Sequence, residues 1–321
     1  MELEIPSAQS PAYKPYFTAW ACRGLLLKVK VIKNHFPKDL KATPNKRKDM
    51  TMKKFEGVLI CTDLDGTLLR DDKSISRENL DAIEYFKSEG GKFTFITGRT
   101  PLGIPHIIEM APPNTYIGCL NGGAIFDPTT NTNVMEIELD RRYAGLLEYI
   151  DTNFPSAGLE VLAHDKVWFC KANELVNRHR RIELLPDNQC DYRKVPGKLA
   201  KVLIIDEPQV IDEIVKALPL QPDADKFDFK RSTKNYYEIL PKGASKGNLL
   251  VKIAEMNGIS VSRTYAAGDN ENDISLICAA GTGYAVANAI DSAKNAADRI
   301  TVSHNESPIS HIIRDIEKDI L

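Results

Sequence analysis

The stretch Val58–Leu69, VLICTDLDGTLL, decides the fold. A short apolar run ends on Asp63, Leu64, Asp65, Gly66 and Thr67, which reads as a buried strand carrying two carboxylates to the carboxyl edge of a parallel sheet. Ligands of open α/β folds bind at that edge. A lone DxD is also a common turn, because Asp bonds its own neighbouring backbone at strand ends. Two acids this close serve hydrolysis near neutral pH when a cation offsets their repulsion.

Outward from this stretch, three more segments follow in order: ITGR (Ile96–Arg99), SKGNLL (Ser245–Leu250) and AAGDNENDI (Ala266–Ile274). The chain between them alternates strand and helix, the pattern of a parallel α/β sheet. LRDDKSI (Leu69–Ile75) is a polar excursion after the first strand. Ser76 then caps a helix whose Leu80, Ile83 and Phe86 recur at helical spacing, closed by Gly90 and Gly91. Strands are expected over 92–97 and 115–120, each ending at a candidate site residue.

The middle third, about 140–238, lacks acidic strand ends. A helix over 141–153, a strand pair within 159–171, a strand and helix within 199–218 and a strand over 234–240 are expected there. Helix 245–256, strand 264–267, helix 273–279, strand 283–287, helix 291–297 and a last helix opened by Ser307 and Pro308 return the chain to the first pattern.

With DLDGTLL, TGR, NGG (Asn121–Gly123), KGNLL and GDNEND in one order, the chain resembles the haloacid dehalogenase (HAD) superfamily of aspartyl-phosphate phosphatases, in its Cof-type subfamily. The resemblance runs from about Phe55 to the C terminus. It implies a Rossmann-like α/β core with a parallel sheet, a Mg²⁺ ion and an inserted α/β cap: an N-terminal extension over 1–54, core over 55–139, cap over 140–239 and core again over 240–321.

Phosphoryl transfer needs an in-line nucleophile, neutralisation of the equatorial oxygens and a proton donor for the leaving oxygen. Asp63 is the candidate nucleophile and Asp65 the acid and base, with Gly66 and Thr67 forming the turn that lets both reach the site. Hard carboxylate oxygens favour Mg²⁺. The resemblance implies Asp63, the Asp65 carbonyl and Asp269 as its ligands, with Asp273 orienting them. GDNEND lacks the twelve-residue ligand pattern of an EF-hand. Thr97 and the Gly98 amide are expected on the phosphate, joined by Asn272 and by Lys246, whose ammonium lies at a helix start where the dipole also favours an anion. Asn121 and Gly122 are candidates for substrate contact by resemblance. Arg99 either binds substrate or pairs with an acid.

The expected activity is hydrolysis of small phosphorylated metabolites such as sugar phosphates, with a phosphomutase, or a non-catalytic regulatory protein on the same core, as alternatives. Asp65 argues against a dehalogenase, which has no use for a second acid. Loss of Asp63, Asp65, Lys246 or Asp269 would mark a spent regulatory core, and all four are present.

The composition agrees. At 321 residues the chain suits two units, and a net charge of −2 gives no electrostatic case for nucleic acid or an anionic membrane. Residues 1–52 hold ten basic and four acidic residues, net +6, and the remainder 32 and 40, net −8; the leader, without a clean period, is read as a poorly ordered extension preceding a second start at Met50 or Met52. Cys61, Cys119 and Cys278 lie in apolar runs and read as core. With no CxxC pair, a reducing cytoplasmic compartment is expected. No run is long enough to span a membrane, so an ion-pumping ATPase is excluded. His35, His106, His164, His179, His304 and His311 have no metal or triad spacing and read as structural or surface residues. Trp168, Phe169, Tyr236 and Tyr237 are aromatic candidates to face the substrate. A monomer or weak homo-oligomer is expected.

Overall fold

In the computed structural model, residues 53–183 and 185–320 are described; of the leader, only Lys53 and Lys54 fall within them. Thirteen strands form among these residues. In chain order they are β1 Leu59–Thr62, β2 Lys92–Phe95, β3 Ile117–Cys119, β4 Ala124–Asp127, β5 Thr132–Glu136, β6 Gly158–Ala163, β7 Val167–Lys171, β8 Leu199–Ile205, β9 Phe227–Thr233, β10 Tyr236–Pro241, β11 Thr264–Gly268, β12 Thr282–Ala285 and β13 Arg299–Ile300. The helices are α1 Arg77–Ser88, α2 Pro105–Met110, α3 Tyr143–Asn153, α4 Glu174–Ile182, α5 Pro208–Ala217, α6 Lys246–Met256, α7 Ile274–Ala279, α8 Asp291–Ala296 and α9 Pro308–Ile320.

Every residue of β1 is buried, which requires both faces of its sheet to be covered. Alternation sorts them: Ile60 packs with Phe93, Phe95 and Phe86 on one face, while Leu59 and Cys61 meet Leu249, Leu250 and Ile253 of α6 on the other. The sheet is parallel, in the order β13-β12-β11-β1-β2, with Thr62 opposite both Ala267 and Phe95. Strand ends after β1, β2 and β11 therefore share one edge. Ser76 caps α1 as expected, accepting from the Asn79 amide at 3.1 Å. The α1 end is marked by Gly90 at φ 91°, which only glycine adopts without strain.

A second sheet, antiparallel, runs β7-β6-β8-β10-β9. Its outer face packs on α3 and α5 through Val161, Val202, Ile204 and Ile239. The alternate residues of the same strands, Glu160, Lys201, Leu203 and Glu238, point the other way. Apolar members of that set join the first core.

Several elements depart from expectation. The strand over 115–120 is shorter and, bridged to the main sheet only at Ile96–Gly118, belongs to a small antiparallel meander with β4 and β5. Those two strands were not anticipated, nor were β9, β13 and α4. Of α4 only Val176 is buried, so the helix has almost no apolar stripe to betray it. β10 begins at Tyr236 because residues 234–235 form the hairpin turn. Cys61 and Cys119 are core residues, whereas Cys278 is only half-buried. Among the described residues no helix is long and apolar enough to cross a membrane.

Candidate active site

The first sheet's shared edge positions the acids. The Asp63 amide continues the β1 ladder, donating to Ala267 O at 2.9 Å, which fixes its side chain over the edge, 5% exposed. The chain then turns sharply, with the amides of Leu68 and Leu69 both bonding Leu64 O. Gly66 sits at φ 79°, and a Cβ there would lie 2.6 Å from Asp269 Oδ2. Only glycine lets the two acidic loops approach this closely. The Thr67 hydroxyl donates to Asp269 Oδ1 at 3.2 Å.

Asp273 ties this arrangement from behind. Its Oδ2 accepts from the amides of Asp269 and Asn270, at 3.0 and 3.1 Å, and its Oδ1 from Lys246 Nζ at 2.5 Å. Lys246 opens α6 behind the Ser245 cap and donates also to Asp63 Oδ1 at 2.6 Å. Burial disfavours its charge, but Asp273 and Asp63 more than reverse that and hold it a cation. Oxygens of Asp63, Asp269 and Asp273 all lie within 4.8 Å of one another. Three carboxylates thus face one ammonium, an excess of two negative charges. Burial first, then repulsion from Asp273, pushes both Asp63 and Asp269 well above the usual carboxylate range. A divalent cation held by these hard oxygens would remove that penalty, so the donor set fits one.

Asp65 is in different surroundings. Arg99 grips it with two prongs, Nε to Oδ2 at 2.7 Å and Nη2 to Oδ1 at 2.8 Å, and Lys73 of the polar excursion adds a third contact at 2.8 Å. Burial alone would raise its pKa, but these cations hold it far below the usual range. Of the two alternatives for Arg99, the structure displays pairing with an acid.

Thr97 is buried, its hydroxyl accepting from the Arg99 amide at 3.1 Å. Gly98 lies against the Asn121 amide group. Leu120 and Asn121 occupy the left-handed region at φ 58° and 53°, a strained turn for non-glycine residues. Gly122 follows at φ 120°, and a Cβ on it would lie 2.1 Å from the Ser245 amide, so it packs the turn against the cap of α6. Asn121 bridges the two sheets: its Oδ1 accepts from Asn272 Nδ2 at 3.1 Å, and its Nδ2 donates to Glu238 Oε2 at 2.8 Å. Glu238 accepts as well from Lys201 Nζ at 2.8 Å, and Lys201 donates onward to Gly98 O at 3.0 Å.

Between the sheets lies a cavity of about 420 Å³, lined by Asp63, Asp65, Thr97, Asp269 and Asn272 on one side and Lys201, Glu238 and Tyr236 on the other. Of the four aromatic candidates only Tyr236 lines it; Tyr237 and Trp168 pack in the outer core of the second sheet and Phe169 in the first core. His179, expected to be structural or superficial, also lines the cavity. Its Nδ1 lies 2.9 Å from Glu160 and its Nε2 3.7 Å from Glu183. Burial opposes its protonation, but the two glutamates prevail and push its pKa up to about 10. The sequence reading missed Lys73, Lys201, Glu238, His179 and Glu183. For Lys201 and Glu238 a signal existed: each is one charge inside an otherwise apolar or aromatic strand, LAKVLII and YYEILP.

Comparison with known proteins gives a consistent picture. A family profile for haloacid dehalogenase-like hydrolases matches residues 60–313. A candidate phosphatase of Streptococcus pyogenes serotype M6 is 30% identical over 266 residues, covering 80% of this chain and 97% of that protein. The 5-amino-6-(5-phospho-D-ribitylamino)uracil phosphatase YcsE of Bacillus subtilis is 28% identical over 261 residues, covering 80% and 94%. A haloacid dehalogenase-like hydrolase from Bacteroides thetaiotaomicron has the same fold, with a TM-score of 0.71 over 82% of this chain and 99% of that one at 24% identity.

Proposed function

The chain belongs to the haloacid dehalogenase-like hydrolases and is a phosphatase of that family, and from this premise we propose that it hydrolyses small phosphorylated metabolites through an aspartyl-phosphate on Asp63, with Mg²⁺ as cofactor. The observation that carries the reading is the convergence of Asp63, Asp269 and Asp273 within 4.8 Å around a single buried ammonium. With Lys246 as its one counter-charge, the site keeps a surplus of negative charge, which suits a divalent cation and the phosphate it brings.

Asp63 and Asp269 would hold the ion, together with the Asp65 carbonyl; when bound it supplies charge neutralisation to the phosphoryl oxygens. Lys246 opposes the burial and the Asp273 repulsion that raise the Asp63 pKa, which favours the ionised nucleophile, and its contact at Oδ1 orients that carboxylate. Asp63 then forms the new O–P bond as the bond to the leaving oxygen breaks, and that oxygen takes its proton from Asp65. The carboxylate form of Asp65, gripped by Arg99 and Lys73, is the one left by this donation, and it is the form that accepts a proton from the water attacking the phosphoenzyme. Thr97, Gly98 and Asn272 would bind the remaining phosphate oxygens.

The segment over 140–239 is read as a cap whose inner face selects the leaving group. In support, Leu162, Leu203 and Tyr236 line the cavity opposite the acids. A metabolite-sized monoester suits a cavity of about 420 Å³, and the relative YcsE is named for one such substrate. Buried thiols at Cys61 and Cys119 suit a reducing, cytoplasmic setting. Phosphate release from a panel of phosphorylated metabolites, with Mg²⁺ and with excess chelator, tests the proposal. Metal-dependent turnover of at least one monoester is expected; full activity in chelator would overturn it.

A further inference from the structure

An alternating line of charges leaves the catalytic edge and ends in the second sheet. It runs Lys73, Asp65, Arg99, Glu183, His179, Glu160, with successive contacts of 2.8, 2.7, 3.9, 3.7 and 2.9 Å. The first three residues belong to loops of the first sheet. Glu183 and His179 belong to the C-terminal end of α4, and Glu160 is fully buried on β6.

Glu183 is the crossing point. Its side chain is 14% exposed, with His179 on one side and the Arg99 guanidinium on the other. It also fits against a glycine: a Cβ on Gly103 would lie 2.8 Å from Glu183 Oε2. Arg99 Nη1 donates to the carbonyl of that same Gly103 at 3.3 Å. Arg99 is therefore held from three directions, by Asp65, by the Gly103 carbonyl and by Glu183. Of these only Glu183, just past the end of α4, comes from outside the loops of the first sheet.

We propose that Glu183 is a positioning residue for phosphoryl transfer, fixing Arg99 so that the guanidinium presents its two-pronged edge to Asp65. The proposal rests on the aspartyl-phosphate reading above. Its consequence falls on the steps in which Asp65 moves a proton, and the first of them, donation to the leaving oxygen, can be read by the choice of leaving group. An alkoxide leaving group needs that proton, whereas 4-nitrophenolate departs without it.

The test is single-turnover phosphoenzyme formation by the full chain with Mg²⁺, using an alkyl phosphate and 4-nitrophenyl phosphate. Glu183→Gln keeps the shape and removes the charge. It should slow the alkyl reaction about 10-fold, a fraction of the full acid–base contribution, and the aryl reaction less than about twofold. Gly103→Ala, which pushes on Glu183 from the other side without altering its charge, should give the same selectivity. Combining Glu183→Gln with Arg99→Lys should add little to Arg99→Lys alone, because one acts through the other. Equal slowing of both substrates, no slowing of either, or additive losses in the double variant would overturn the proposal. A wild-type enzyme that forms no phosphoenzyme would overturn the functional reading along with it.

Discussion

The two walls of the cavity are built on opposite plans. The first sheet's edge sets short side chains at the chemistry, Asp63, Thr97, Asn121 and Asp269, each one or two residues past a strand end and fixed by the backbone turn that carries it, with Lys246 and Arg99 reaching in to pair with its acids. The second sheet's inner face uses long ones, Lys201, Glu238, Glu183 and His179, set within strands or near a helix end and held by partners far along the chain. Short side chains on rigid turns suit chemistry that fails when an atom is misplaced by an ångström. Long ones on a separate sheet suit recognition, where shape can change while the chemistry stays.

This contrast predicts graded losses. On the first wall, Asp63→Asn should abolish turnover, by roughly 10⁴-fold or more as expected for a covalent nucleophile, with far-UV circular dichroism unchanged. Asp65→Asn should slow both formation and hydrolysis of the phosphoenzyme by about 10²–10⁴, read by rapid quench on an alkyl phosphate.

On the second wall, effects should fall on stability instead. Lys201 and Glu238 are a buried pair, 5% and 3% exposed. Lys201→Met strands Glu238 and should cost about 3–5 kcal/mol in urea unfolding. Replacing both, with Glu238→Leu, should cost clearly less than the single change.

The same contrast explains what the sequence disclosed. Asp63, Asp65, Lys246, Asp269 and Asp273 were readable because each lies in a local pattern of strand, turn and helix cap, and the structure brings them together at one edge. The glycines beside them were readable for the same reason. Lys201 and Glu238 were not, since β8 and β10 pair only after folding and a lone charge in a strand has no local meaning. His179 was hard to read because its nearer partner, Glu160, lies on another element 19 residues back, although Glu183, at i+4, was one helical turn away. β4 and β5 escaped notice although Asp127 starts their turn by accepting from the Thr129 amide.

A pH-dependent effect belongs to His179. Its pKa, raised from 6.5 to about 10 in the folded chain, means that the folded state keeps a proton which the unfolded state has lost. Stability from this source is fully present below pH 6.5 and disappears as pH rises toward 10, at up to about 1.4 kcal/mol per pH unit. His179→Gln should flatten that part of the profile of melting temperature against pH.

The most direct test of the account is to trap the covalent intermediate. Enzyme mixed with a ³²P-labelled phosphomonoester and Mg²⁺, quenched in acid and mapped by mass spectrometry, should carry phosphate on Asp63 in an acid-stable, hydroxylamine-labile linkage, absent from Asp63→Asn. Active enzyme that carries label on another residue, or turns over at wild-type rate as Asp63→Asn, would contradict it.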